Sequence, residues 1–168
     1  MLLRPMDVSD EKQAMQAHEE LAGDDFEFVF VKPGEGWPAY LERLERERLG
    51  VGLPEGWVPA TFLVAEVEGQ VVGRVSIRHE LNAYLAEFGG HIGYGVRPGF
   101  RRRGYATNIL RQSLAVAASI GLDRVLVTCD VDNVGSAAVI ERCGGVLENV
   151  VPVEGSAPRC RYWVETGA

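Results

Sequence analysis

A basic, glycine-containing segment from Val96 to Ala106 constrains this chain more than any other feature. It reads V-R-P-G-F-R-R-R-G-Y-A, with Pro98 and Gly99 placed to end a strand and an apolar-periodic helix expected from Tyr105 to Ile120. A strand that passes through such a loop into a helix presents unpaired amides at the positive end of the helix dipole. The sequence therefore predicts an anion site, typically one for phosphate, on an α/β fold.

Four residues of this loop suit an anion chemically. Gly104 has no Cβ, so the backbone can come close to a ligand, and Arg101, Arg102 and Arg103 add formal positive charge. An ordinary strand-to-helix turn with a solvated arginine cluster is the alternative interpretation.

The loop resembles the acyl-CoA loop of the GNAT superfamily of N-acyltransferases, which reads Arg/Gln-x-x-Gly-x-Gly/Ala after a V-x-P strand end. Arg101, Gly104 and Ala106 fill the three defining positions, and Val96 and Pro98 fill the two before them. The resemblance covers most of residues 61–153 and is loose over residues 23–58. It implies acetyl-CoA as cosubstrate, with the pyrophosphate held by the backbone amides of this loop and the pantetheine arm held by the edge of the fourth strand.

A second segment, from Asp130 to Gly145, resembles the other cofactor segment of the family. Asn133 matches an asparagine that contacts the pantetheine arm, although it could equally be a helix N-cap. Together the two segments imply a set of cofactor-binding residues: Tyr94, Gly95, Val96, Arg101, Arg102, Arg103, Gly104, Tyr105, Ala106, Thr107, Asn133 and Ser136.

One position departs from the family pattern. Many members place a tyrosine before the glutamate of the last motif to protonate the leaving thiolate, and here Ile140 stands there. On the fourth strand, His91 and Tyr94 are the candidate catalytic residues, His91 as the base. Strand alternation places their side chains on opposite faces unless a β-bulge intervenes, which Gly93 and Gly95 make plausible. His91 could instead hold the preceding glycine turn, and Tyr94 could pack in the core.

The cysteines predict neither a disulfide framework nor a metal site. Cys129, Cys143 and Cys160 are odd in number, widely spaced and without a paired histidine, so we expect reduced thiols and no metal. Cys129, at the end of a strand, is interpreted as a buried structural thiol rather than an acyl-accepting nucleophile.

The charge and hydrophobicity of the chain limit the classes of partner that it can bind. A net charge of −7 argues against nucleic acid, whose binding needs a basic footprint. No apolar run approaches the roughly 20 residues of a membrane span, and the start carries no signal-peptide pattern. We therefore expect a cytoplasmic protein with one domain over residues 1–168. A homodimer is compatible with the sequence, which does not fix the oligomeric state.

The predicted elements give the order βααβββαβαββ. We expect a first helix capped by Ser9 or Asp10 with Met15 on its apolar side, and a charged helix from Tyr40 to Leu49. The order is similar to that of the GNAT fold, an α/β fold with a twisted mixed sheet of six to seven strands and helices on both faces. The resemblance also implies that strands four and five are parallel and separate at their carboxyl ends.

The leading hypothesis is an N-acetyltransferase that joins acetyl-CoA and a small-molecule or peptide amine by direct attack in a ternary complex. The acidic surface favours a cationic acceptor through long-range steering. A non-catalytic acyl-CoA-binding or sensing module is the alternative, motivated by Ile140. A nucleotide-binding protein lacks support, because no G-x-x-x-x-G-K-[ST] motif is present.

Overall fold

Eleven principal elements form one mixed sheet flanked by helices in the computed structural model, which describes residues 1–24 and 26–167. They are β1 (Leu2–Arg4), α1 (Glu11–Leu21), α2 (Trp37–Arg48), β2 (Ala60–Val67), β3 (Gln70–Arg78), β4 (Ile92–Val96), α3 (Tyr105–Ser119), β5 (Arg124–Asp130), α4 (Val134–Arg142), β6 (Val146–Val151) and β7 (Arg159–Glu165). The predicted order βααβββαβαββ is confirmed. No helix within the two described ranges is long and apolar enough to cross a membrane.

The sheet has seven strands in the order β1-β2-β3-β4-β5-β7-β6 and helices on both faces. Alternation along β2 explains the layers, since Leu63 and Ala65 pack with α3 whereas Val64 packs with α1 and α2. Leu110 is fully buried on the α3 side, and Tyr40 is fully buried on the other. The predicted fold class is therefore confirmed.

β4 and β5 separate almost as soon as they meet. They are the parallel pair of the sheet, and their ladder consists of Ile92 opposite Val127. On its other side β4 pairs with β3 in continuous antiparallel register. Because hydrogen-bonded pairs alternate in such a ladder, and Arg97 N donates to Val72 O at 2.9 Å, the main-chain groups of Tyr94 and Val96 point toward the gap.

The start of the first helix differs from the prediction. Asp7, rather than Ser9 or Asp10, is the capping residue, because its carboxylate accepts from Ser9 N at 2.7 Å while Asp10 accepts from Asp7 N at 2.8 Å. A single 3-10 turn therefore precedes α1. Met15 is 40% exposed, so it is not part of the buried side that Ala14 and Ala17 form.

Candidate functional site

A cleft of about 930 Å³ opens where β4 and β5 separate, between the N-terminal ends of α3 and α4. Nearly all of the predicted cofactor-binding residues line it: Tyr94, Gly95, Val96, Arg101, Arg102, Gly104, Tyr105, Ala106, Thr107, Asn133 and Ser136. Arg103 is the exception, because its guanidinium lies 5.6 Å from the centre of the Phe100 ring. Two motifs that are far apart in sequence thus meet in one concave surface.

The loop before α3 holds its backbone in an unusual conformation. Gly104, the N-cap of α3, has φ +80°, and Arg102 has φ +62°, so two residues of the loop are left-handed. A Cβ on Gly104 would meet nothing within 4 Å. Within the described ranges, no hydrogen bond is made by the amides of residues 102–107, and the first donor of the helix ladder is Asn108 N to Gly104 O at 3.1 Å. A run of unpaired amides at a helix N-terminus is a site for an anion.

The arginine side chains have more specific roles than a general positive charge. Arg101 donates from Nε to Val96 O at 3.1 Å and forms an ion pair with Asp24. It therefore braces the end of β4 and ties the loop to the segment after α1. Arg102 also lines the cleft, so its side chain and the backbone amides are both donors available to an anion.

Arg97 is a structural residue that the sequence did not single out. It is 6% exposed, donates to both carboxylate oxygens of Glu20 at 2.7 and 2.9 Å, and donates to Val71 O at 2.9 Å. This bidentate pair joins the end of β4 to α1. Only its position in the V-R-P segment could have drawn attention to it.

Asn133 caps α4, as one of its two interpretations predicts. Its side-chain oxygen accepts from Ser136 N at 3.0 Å, and the residue also lines the cleft. Since an amide side chain has further donors and a second lone pair, the cap leaves it able to contact a ligand. Its contact with pantetheine stays a prediction.

Tyr94 projects from β4 toward the α3 side and lines the cleft. Its hydroxyl is buried beside the side chain of Ser136, and this contact falls short of full hydrogen-bond geometry. Burial raises the pKa of this phenol well above its ordinary value. The side chain therefore carries its proton at neutral pH, and Ser136 is the polar side chain beside that O–H.

His91 is built into the backbone between β4 and β5. Its Nδ1 accepts from Leu126 N at 2.9 Å, while its own N–H donates to Leu126 O at 2.7 Å. Burial, followed by the charge of Arg78, lowers the pKa of His91 to about 4. The neutral ring consequently keeps its proton on Nε2 and has no free lone pair for a substrate proton.

β4 has no bulge between Ile92 and Val96, although Gly93 and Gly95 made one plausible, and this separates the two candidate residues. Gly93 lies opposite Ser76 and Tyr94 opposite Val75 in unbroken register. His91 and Tyr94 therefore point to opposite faces, and His91 is not among the residues lining the cleft. The geometry favours the structural interpretation of His91 and leaves Tyr94 as the catalytic candidate.

Ile140 points into the core rather than toward the cleft. It is fully buried, and a Cβ on Gly145 would come within 2.4 Å of its side chain.

Cys129 lies in the same core and is 5% exposed. Burial raises the pKa of its thiol to about 11, so Cys129 is a poor nucleophile. Residues 1–24 and 26–167 contain no group of three or more His, Cys, Asp or Glu arranged to hold a metal ion.

The segment after α1 supplies a wall of the cleft. Asp24 and Phe26 line it, and a Cβ on Gly95 would lie 2.5 Å from the Phe26 ring. Gly95 is therefore required by a close side-chain approach. The irregular aromatic stretch around Phe26 was the available signal, whereas Asp24 had none.

Comparison with known proteins agrees with this arrangement. Residues 15–145 match the sequence model of the family described as the acetyltransferase (GNAT) family. The sequence matches none of the curated proteins with which it was compared.

Solved structures share the fold at low sequence identity. RimJ from Mycobacterium smegmatis, in complex with CoA-disulfide, superposes with a TM-score of 0.70 at 22% identity, over 97% of this chain and 80% of that one. The microcin self-immunity acetyltransferase MccE, with acetyl-CoA and AMP, gives 0.68 at 19% over 97% and 91%. A variant of spermidine N-acetyltransferase SpeG from Vibrio cholerae gives 0.67 at 17% over 99% and 95%.

Proposed function

This chain belongs to the GNAT family of acetyltransferases, and on that premise we propose that it transfers an acetyl group from acetyl-CoA to a primary amine by direct attack in a ternary complex. The observation that carries the proposal is the run of unpaired amides at residues 102–107, which opens onto the cleft. The acceptor, the direct attack and the individual residue roles are parts of this proposal.

The residues present fit acetyl-CoA on two independent observations. The left-handed Gly104 leaves open space over amides that can receive a pyrophosphate. Among the described residues no strand pairs with β4 beyond Ile92 on the side that faces β5. The main-chain groups of Tyr94 and the amide of Val96 can therefore bond to an amide-containing arm, whereas the Val96 carbonyl already accepts from Arg101. When bound, acetyl-CoA supplies an activated acyl group. The protein has to orient that acyl group and to stabilise the negative charge that develops on its carbonyl oxygen.

Two groups on β4 suit the chemistry. The amide of Tyr94 faces the gap and can stabilise negative charge on a carbonyl oxygen as the amine attacks. The Tyr94 hydroxyl is protonated, buried and without a partner among the described residues, so it can donate its proton to a leaving sulfur. In this proposal Tyr94 takes the role that the family pattern gives to a tyrosine at the position of Ile140. Direct attack is further supported by Cys129, because burial raises the pKa of its thiol and makes it a poor acyl-accepting nucleophile.

The decisive experiment combines a calorimetric titration of CoA with an assay of free thiol release from acetyl-CoA over a panel of amines. Binding together with amine-dependent release supports the transferase. Binding without release on any amine would contradict it in favour of the sensing module. Tyr94→Phe is the matched variant, because it removes the proton donor and leaves the ring that packs against the core.

A further inference from the structure

A strip of β4 on the face away from α3 carries no side chains. Gly93 and Gly95 lie there, opposite Ser76 and Arg74 on β3. Since Val75 and Ile77 pack in the core under α3, the alternate residues Arg74, Ser76 and Arg78 face the other way, toward this strip. The strip therefore lies next to the Tyr94 amide that is proposed to contact the thioester carbonyl. The basic side chains of Arg74 and Arg78 lie beside the strip.

Arg78 borders the strip directly. A Cβ on Gly93 would come within 3.2 Å of Arg78 Nη1, so a side chain there would occupy the space in front of the guanidinium. Its hydrogen bonds are two long ones, to Gly89 O at 3.3 Å and Gly90 O at 3.5 Å. Burial lowers the pKa of Arg78, and no carboxylate among the described residues forms an ion pair with it. A guanidinium has several donors in a fixed fork, and most of these are unused.

Arg74 places a second positive charge behind the first. It is 4% exposed and lies 4.2 Å from the centre of the Phe26 ring and 4.9 Å from that of Phe62. It donates to Glu27 O, and its Nε has no partner among the described residues. Burial and then the charge of Arg78 lower the pKa of Arg74 to about 9. The two arginines thus repel each other in a poorly hydrated place.

Carboxylate pairing is the rule for other arginines of this chain whose side chains are largely buried. Arg43, Arg97 and Arg161 have carboxylate oxygens at 2.8, 2.7 and 2.6 Å. A buried cation without an anion is costly, and among the described residues Arg74 and Arg78 have no carboxylate in an ion pair, so a bound oxyanion would lower that cost. The Phe26 ring covers Gly95, whereas at Gly93 the nearest group is the Arg78 guanidinium itself, so a partner bound beside Gly93 would contact that guanidinium.

We infer that the acceptor amine carries a compact oxyanion, a carboxylate or a phosphonate, and that Arg78 binds it while the amine lies beside Gly93, near the Tyr94 amide. This inference rests on the transferase function proposed above and narrows its acceptor to an anionic amine such as an amino acid. It revises the expectation of a cationic acceptor that came from the net charge of −7. Surface charge is screened over about 8 Å at physiological ionic strength, whereas a buried guanidinium acts on a ligand in contact with it.

The test compares matched acceptors that differ in the anion alone. Amino acids, their carboxamides and the corresponding aminoalkylphosphonates are supplied as acceptors, with spermidine as a cationic reference. We expect kcat/KM for the acids to exceed that for the carboxamides by at least about tenfold. The ratio of carboxylate to phosphonate identifies which oxyanion is preferred. Equal use of acids and carboxamides, or a preference for spermidine, would overturn the inference.

Variants of Arg78 locate the effect. Arg78→Gln should raise KM for the acids by about 30-fold or more, because one partner of a buried charge pair is removed. KM for acetyl-CoA and for the carboxamides should not change, and Arg78→Lys should recover part of the loss. Arg48→Gln, in an exposed pair with Glu45, is the control. An equal loss for acids and carboxamides would show a merely structural Arg78 and would contradict the inference.

A binding measurement separates this inference from the failure of the proposed function. The protein–CoA complex is titrated with N-acetyl amino acids and with their carboxamides, before and after Arg78→Gln. Selective binding of the acids that is lost in the variant supports the inference even where no amine is turned over. Equal affinity for the acids and the carboxamides would overturn the inference even where turnover is found.

Discussion

Gly104 offers a test in which charge and backbone strain can be separated. Its φ of +80° belongs to the left-handed region, so any side chain there costs about 1 kcal/mol of stability. A Cβ would meet nothing within 4 Å, so a longer side chain can extend into the cleft without a clash. Gly104→Ala, Gly104→Gln and Gly104→Glu therefore share the strain, and the last two differ in one negative charge.

The magnitude follows from Coulomb's law. A carboxylate about 8 Å from a phosphate charge, at an effective dielectric constant of about 20, is repelled by about 2 kcal/mol. This corresponds to a weakening of CoA binding by about 30-fold for Gly104→Glu relative to Gly104→Gln. Gly104→Ala should bind CoA nearly as the wild type does, because the amides of residues 102–107 keep their positions.

The assay is a calorimetric titration of CoA into each variant at 0.05 and 0.5 M salt, with thermal unfolding measured in parallel. The difference between the Glu and Gln variants should shrink at the higher salt concentration, because screening weakens the repulsion. If Gly104→Glu and Gly104→Gln bound CoA equally at low salt, the pyrophosphate would not lie at this loop.

Three further predictions concern the interior of the cleft and the core. Tyr94→Phe should lower kcat by at least about tenfold and leave KM for acetyl-CoA unchanged. The variant should be as stable as the wild type or more so, because a buried hydroxyl without a hydrogen bond is lost. An unchanged kcat would exclude Tyr94 as the general acid. The pKa of His91 is about 4 in the folded state and 6.5 in the unfolded state, so between these pH values the unfolded state binds more protons. The free energy of unfolding should therefore fall as the pH drops from 6.5 to 4, by about 3 kcal/mol in total. His91→Asn, which keeps an acceptor for Leu126 N, should remove this loss in acid unfolding curves without changing the pH profile of kcat/KM; a lost acid limb in that profile would make His91 the base. Cys129, with a pKa of about 11, should resist alkylation at pH 8 and carry no acetyl group in mass spectra taken during turnover; an acetylated Cys129 would refute direct attack.

The loop before α3 could be predicted from sequence because its structure is determined locally. Pro98 and Gly99 end the strand, Gly104 permits the left-handed turn, and the apolar period of α3 follows at once. The cap at Asn133 is local in the same sense, since it acts on the amide of Ser136. Rules that act over three or four residues therefore place most of the lining of the cleft.

Residues whose roles depend on distant partners could not be assigned in this way. His91 reads as a possible base on its strand, and only the approach of Leu126 uses its Nδ1. Phe26 acquires its place from Gly95, which is far along the chain. The charge of Arg74 becomes unusual only when the fold buries it among aromatic rings.

A single ladder pair, Ile92 with Val127, and the hydrogen bonds between His91 and Leu126 join the two halves of the sheet. One contains β1 to β4 and the other β5, β7 and β6, and between them the backbone ladder nearly vanishes. A ligand that binds along the free edge of β4 and at the α4 cap would supply the missing links and add RT ln(1 + [L]/Kd) to the stability of the folded state. If acetyl-CoA binds there, amide hydrogen exchange should report slower opening at the junction of the two halves, because the cofactor would then take the place of a strand in the sheet.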